Sequence, residues 1–386
     1  MRERGSQLFS GPLRIGPVLI ALVLIWVFFS LETPYFLTNR NLSILLLQGV
    51  VTAIIALGLF FVLIVGEIDL SIAANSGFSG CFMAVLLVNH GVPAIVAVAA
   101  AIAVGGAIGL CQGLWIANFG APGFLVTFGG SLVLNGAQLA ILPVTLNIPV
   151  GGTAIQSLAF SDLPPVISWG LVVLCTVGYA LYRWQTFDAM LRSGLNPPRR
   201  RLAVGLPVLI CAIALGIPTL VMSSYQGVPD AVGLFLVLLV ASTYLMTQTR
   251  IGLWMYAVGG NRDASRRAGI PIHRAKVIAF AIAGALAAIS GVVEVSRELG
   301  ANAYIGSGTL LLEGVAACSI GGVSLFGGRG TVLGTVVGTL VIVSLSNGLE
   351  LMGVNIELQI AITGLLVVLA VTVDAIVTRG GKLFAR

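Results

Sequence analysis

Charge is scarce in this 386-residue chain. Only 9% of its residues are Asp, Glu, Lys or Arg, and the lysines are Lys276 and Lys382 alone. A soluble domain carries about 25% charge. So few charges cannot cover a water-exposed surface, which excludes a soluble globular protein. Sequence motifs for chemistry are missing too. Ala275 precedes Lys276 and Leu383 follows Lys382, so neither lysine fits the nucleotide loop GxxxxGK[ST]. HExxH, GxSxG and paired-cysteine metal motifs are absent. His90 and His273 are predicted to lie in separate loops. Cys81, Cys111, Cys175, Cys211 and Cys318 are scattered through apolar stretches and read as small hydrophobes. We therefore expect no cofactor, no metal site and no enzyme.

What the chain does have is apolar length. Hydrophobic residues make up 58% of it, in runs without strict alternation. Backbone groups in lipid must be satisfied internally, and such runs do so as helices rather than barrel strands. About twelve segments are predicted, near 15–31, 42–65, 70–88, 92–117, 121–142, 165–182, 204–222, 231–249, 277–296, 309–326, 331–350 and 356–377. Some of them are expected to be half-helices. The first reads as a span rather than a cleaved signal. The expected fold is thus all-α, a polytopic transmembrane bundle of about 10–12 segments in one domain over 1–386.

With the N-terminus inside and each segment crossing, eighteen of the 20 basic residues fall on the inner side; only Arg40 and Arg297 fall outside. The positive-inside rule asks for this bias. It predicts a cytoplasmic tail at 1–14, a cytoplasmic loop at 250–276 and a cytoplasmic C-terminus. The net charge of +6 is then explained without nucleic acid. A polar loop at 143–164 lies outside and is too short for a domain.

Glycines recur every four residues at Gly105, Gly109 and Gly113, and again at Gly330, Gly334 and Gly338. That spacing places small residues on one helix face for close packing, within the bundle or at a subunit contact. A weak internal repeat accompanies them. VGEIDL at 65–70 resembles IGGVSL at 320–325, and both stretches end an inward-running segment, as a parallel repeat would require. Gly327, Gly328 and Gly330 follow no strand and read as a tight turn rather than a phosphate cradle.

The first of these stretches places Glu67 and Asp69 between two apolar runs. Two readings stand. In one, the acids cap an interfacial turn, with Asp69 as N-cap of the next helix. In the other, the segment is broken and the acids line a water-filled passage. We assign Asp69 to structure and Glu67 to the pathway, with Ser71, Asn75 and Asn135 as further pathway candidates. Gln138, Glu313 and Asn347 read as helix-to-helix hydrogen bonds. Glu294, Arg297 and Glu298 read as a salt-bridged outer end or a contact for an external partner.

The basic loop 250–276 carries a second signal. Gly259 and Gly260 break the preceding run, Asn261 suits an N-cap, and Asp263 suits the first turn. Arg266 and Arg267 suit the last turn, before Gly269. A short charged helix is predicted here, able to dock on a soluble partner.

Here the chain resembles a family. GGNRDASRRAGI is similar to the cytoplasmic coupling segment of bacterial ATP-driven monosaccharide importer permeases, through Asp263, Ala264, Ser265 and Gly269. Gly66, Glu67, Ile68, Asp69, Leu70 and Ser71 resemble the family's Gly-(Gly/Glu)-Ile-Asp-Leu-Ser signature. GAPGFLVTFGG at 120–130 and IGGVSLFGGRGTVLG at 320–334 resemble further family blocks. Glu at position 67, YQGVP at 225–229 and the extra helix pair near 165–222 are similar to the D-xylose-type members. The chain departs from the family after Ser71, where Ile72, Ala73, Ala74 and Asn75 replace Val-Gly-Ser. The resemblance implies a multi-pass protein of the bacterial inner membrane that works as a homodimer surrounded by lipid. It implies two partners, a cytoplasmic ATPase and an extracytoplasmic sugar-binding protein. Asn261, Arg262, Asp263, Ala264, Ser265, Arg266, Arg267 and Gly269 would couple to the ATPase. The rival reading is an ion-coupled secondary transporter using Glu67 and Asp69.

Overall fold

A computed structural model describes residues 16–194 and 200–378. The tail at 1–14, Arg199 and the basic residues Arg379, Lys382 and Arg386 lie outside the described residues.

The protein is an all-α polytopic membrane bundle. The chain begins with α1 (Gly16–Glu32), α2 (Asn39–Ile64), α3 (Ile72–Ala84, extended by a π-turn over Val85–Asn89), α4 (Ala94–Phe119) and α5 (Gly123–Ile141). A connection follows that holds β1 (Asn147–Pro149), α6 (Ser157–Phe160) and β2 (Asp162–Leu163). Next come α7 (Pro165–Arg192), α8 (Leu206–Ser223), β3 (Val228–Pro229) and α9 (Asp230–Gln248). Two short helices, α10 (Arg250–Gly260) and α11 (Arg262–Arg267), precede α12 (Ile272–Glu298), β4 (Gly300–Asn302), α13 (Gly308–Ile320), α14 (Val332–Leu351) and α15 (Ile356–Thr378).

All twelve predicted segments appear as helices. Among the described residues, nine are long and apolar enough to cross a membrane; α1, α13 and α15 supply shorter apolar stretches. With 13 residues, α13 rises only about 20 Å. That is less than the ~30 Å hydrocarbon core, so α13 is a half-helix. The polar loop at 143–164 holds paired backbone: β1 pairs antiparallel with β4, and β2 with β3. These two small sheets cover one end of the bundle.

The core gathers around α2, which is buried along most of its length. A helix apolar on every side belongs inside a bundle. Here α9, α12, α13 and α14 pack around it. Small residues bring these helices together. A Cβ on Gly109 of α4 would lie 2.1 Å from the Phe280 carbonyl of α12, and one on Gly284 would lie 2.2 Å from the Gly105 carbonyl. The second glycine stripe differs from its expectation. Gly330 precedes α14, so only Gly334 and Gly338 share its face. They meet Gly321 and Ala317. Both stripes are therefore buried within the chain rather than presented to a second subunit. α7 and α8 pair with each other and stay largely exposed at the periphery.

Candidate functional site

Three chain breaks converge at one end of the bundle. The first ends α2. Gly66 adopts a left-handed backbone (φ 75°), Gly66 N–H donates to Leu63 O (2.9 Å), and Glu67 N–H donates to Val62 O (3.2 Å). This is a Schellman end, which closes the last orphan carbonyls of a helix and suits glycine. The second break is the turn from α13 to α14. Gly322 (φ 81°) ends α13 in the same way, with its N–H on Ser319 O and the Val323 N–H on Cys318 O. The two copies of the weak repeat thus share a cap, offset by one residue from their sequence match. The turn then reaches α2: Gly328 N–H donates to Ile64 O (2.9 Å). The third break separates α10 from α11 at Gly260–Asn261. A Cβ on Gly259 would lie 1.8 Å from Ile64 O, so α10 meets α2 backbone to backbone. Tyr256 Oη donates to Gly330 O (2.9 Å) and joins α10 to the turn.

The short helix α11 forms as predicted from its caps. Asn261 Oδ1 accepts from Ala264 N–H (2.9 Å). Gly269 is left-handed (φ 73°), and Ile270 N–H returns to Ser265 O (3.0 Å). Asp263, Ala264, Arg266 and Arg267 are exposed, whereas Ser265 is buried against the bundle. Arg266 and Arg267 make no ion pair among the described residues.

The two groups of predicted site residues meet at Glu67. Arg262 Nη2 donates to Glu67 Oε1 (2.8 Å) and to Gly66 O (3.0 Å). Lys276 Nζ lies 2.7 Å from the same carboxylate oxygen. Asp69 is 3% exposed and accepts from Ser71 N–H (2.8 Å) and Ser71 Oγ (2.7 Å). Burial pushes its carboxyl up, and the hydrogen bonds from Ser71 and the Ile72 N–H pull it back. The expectation that Asp69 is itself the N-cap is corrected. Ser71 holds that position, and Asp69 organises the turn ahead of it. Ser71 Oγ also contacts Gln112 Oε1 of α4 (3.0 Å). Thr127 of α5 accepts from Leu70 N–H (3.0 Å) and donates to Gly123 O (3.0 Å).

The remaining candidates spread out. Asn75 is buried, donates to Gly105 O (3.1 Å) and accepts from Ser79 Oγ (3.1 Å), so it binds helices together. Asn135 is exposed on α5, away from the Glu67 cluster. Gln138 donates to Asn302 O (3.0 Å) and Ile305 O (3.1 Å), and Glu313 accepts from Thr52 (2.9 Å). At the other end, Arg297 pairs with Glu298 (2.6 Å), while Glu294 turns inward to accept from Gly306 N–H (3.1 Å). His273 lies in the first turn of α12, not in a loop, with Nε2 2.7 Å from Asn118 Oδ1.

Two open clefts flank the Glu67 cluster. One, about 520 Å³, runs between Glu67, Gly123, Gly260, Arg262 and Phe326. The other, about 420 Å³, is lined by Ile116, Gly120, Arg266, His273 and Lys276. Sequence reasoning missed Lys276, Thr127 and Gln112 as members of this site. Their only signal was polarity on otherwise apolar helices. It also missed α10 as a separate helix, which starts at Thr249 with a hydroxyl cap on Gly252 N–H (3.4 Å).

Residues 41–371 match the family described as branched-chain amino acid transport system / permease component. The chain is 36% identical to the xylose transport system permease protein of Haemophilus influenzae, over 95% of this chain and 98% of that protein. It is 35% identical to the xylose transport system permease protein of Escherichia coli (97% and 95% covered) and 30% identical to the ribose import permease protein of Escherichia coli (92% of each). No solved structure matches it. With a membrane bundle of this kind and a family match across nearly its whole length, the chain belongs to this family of transport permeases.

Proposed function

We propose that this chain is the membrane-spanning subunit of an ATP-driven sugar importer, with D-xylose or a related pentose as cargo. The family description names amino acids, but relatives similar over nearly their whole length are named for xylose, and a more distant one for ribose. The observation that carries the reading is α11. It is short, capped at both ends, cationic on its exposed side, and tied at its first residue to the break after α2. A helix so framed is a docking element whose movement reaches the bundle.

In this reading the end carrying α11 faces the cytoplasm and both termini lie inside. A separate ATPase docks on Arg262, Asp263, Ala264, Arg266, Arg267 and Gly269, with Asn261 and Ser265 holding the helix in place. The other end receives a sugar-binding protein, and two copies of the chain frame the passage in the bacterial plasma membrane. The chain itself catalyses nothing; ATP is hydrolysed on the partner. Ser71, Asn75 and Asn135 remain pathway candidates beside Glu67 and Asp69. The pairing of Glu67 with two cations weighs against its use as an ion-coupling carboxylate, which must be free to bind and release its ion.

The test is uptake of labelled D-xylose in the native host, with and without this gene, after ATP depletion with the proton gradient held. Gene-dependent uptake that vanishes on ATP depletion is the expected result. Uptake that survives it and collapses with the ion gradient would replace this reading with ion coupling.

A further inference from the structure

We propose that Glu67 is a positioning residue for transport, carrying the movement of α11 into the break between α2 and α3. This rests on the reading of α11 as the ATPase-docking helix.

Glu67 is not needed to end α2. Its backbone N–H does that by donating to Val62 O, so the side chain is free for another task. That side chain accepts from Arg262, the first residue of α11, and from Lys276, in the second turn of α12. One carboxylate therefore joins the docking helix, the helix that follows it and the break. The join is sheltered on the bundle side: the Glu67 side chain is 10% exposed and that of Lys276 13%, whereas the Arg262 side chain is 47% exposed. Charges removed from water are screened less than surface pairs and hold a defined geometry.

The carboxylate also touches a third helix. A Cβ on Gly123 would lie 2.5 Å from Glu67 Oε2, so α5 begins directly against the carboxylate. Beyond Glu67 the break is held at each step. The Leu70 N–H is on Thr127, and Ser71 bonds Asp69 and Gln112. A displacement of Arg262 is passed to α3 rather than absorbed by a loose loop.

The experiment uses the full permease, co-purified with its ATPase and reconstituted in liposomes with the sugar-binding protein. It measures labelled sugar accumulated per ATP hydrolysed, using the sugar that the wild-type complex takes up, D-xylose first. Glu67→Gln is expected to retain the ATPase and its hydrolysis while lowering sugar per ATP by roughly tenfold. Lys276→Gln, outside the docking surface, removes the second cation from the same carboxylate and is expected to lower the ratio too, and its double variant with Glu67→Gln to be no worse than Glu67→Gln alone. A merely structural role would lower the yield of complex and leave the ratio unchanged. A wild-type ratio in Glu67→Gln, or losses that add in the double variant, overturns the proposal. If Glu67→Gln does not assemble, Glu67→Asp decides alone, since it keeps the charge and shortens the reach to Arg262 and Lys276. An unchanged ratio there overturns the proposal. Failure of the docking reading shows separately, as an ATPase that stays bound when Arg266 and Arg267 are both reversed to Glu, and it removes this proposal too.

Discussion

Asn41 of α2 and Asn347 of α14 form a reciprocal amide pair. Asn41 Nδ2 donates to Asn347 Oδ1 (2.9 Å), and Asn347 Nδ2 donates to Asn41 Oδ1 (3.1 Å). Both residues are buried, and Asn41 Nδ2 also reaches Phe36 O (2.9 Å). Asn347→Leu removes one side and leaves the other without its partner. We expect a loss of about 1–2 kcal/mol. The double change to Leu should cost less than the sum of the single changes. Unfolding in mixed micelles over a double-mutant cycle measures this, and strict additivity would contradict it.

Reversing Arg266 and Arg267 to Glu should release the ATPase without unfolding the bundle. Both side chains are exposed on α11 and form no ion pair among the described residues, so the fold loses little. Co-purification reads the first effect and thermal melting the second. Unchanged uptake with unchanged co-purification would sink the assignment of α11.

Gly109→Ala should destabilise the bundle by about 1–3 kcal/mol or more, because its Cβ would meet the Phe280 carbonyl oxygen, a backbone atom that cannot turn away. Gly136→Ala is the control. Nothing lies within 4 Å of its Cβ, so the change should be neutral or gain up to about 1 kcal/mol from helix propensity. Melting of the two purified variants should show a loss for Gly109→Ala and none for Gly136→Ala.

Asp69→Ala strips the partner from the Ser71 N–H and hydroxyl and should cost about 1–3 kcal/mol. Asp69→Asn keeps an acceptor oxygen and should cost much less. The pH dependence has a definite sign. With its carboxyl raised by burial, folded Asp69 holds its proton to higher pH than the unfolded chain does. Wild-type stability therefore falls as pH rises from the ordinary carboxylate range towards the raised value. Asp69→Asn should lose that slope, and melting across pH tests it.

Much of this architecture was legible because its signals are local. Apolar length marked all twelve apolar helices, nine of them, among the described residues, long enough to cross a membrane, and Asn261 and Gly269 marked both ends of α11 through cap chemistry within a few residues. Gly330 misled for the same local reason. Four-residue spacing cannot reveal that a turn lies between Gly330 and Gly334. His273 misled because one residue at a helix start looks the same in either context.

The sequence by itself determined that the chain is a helical membrane protein, where its segments lie and that a capped cationic helix interrupts them. Those properties follow from solvent and from hydrogen bonds within one turn. Only the tertiary structure decided what Glu67 does with its charge. Its partner Arg262 lies 195 residues away, and the pairing exists because α2, α10 and the α13–α14 turn close on one another backbone to backbone. No local rule chooses among 20 basic residues; the packing of glycines at Gly66, Gly259 and Gly327 does.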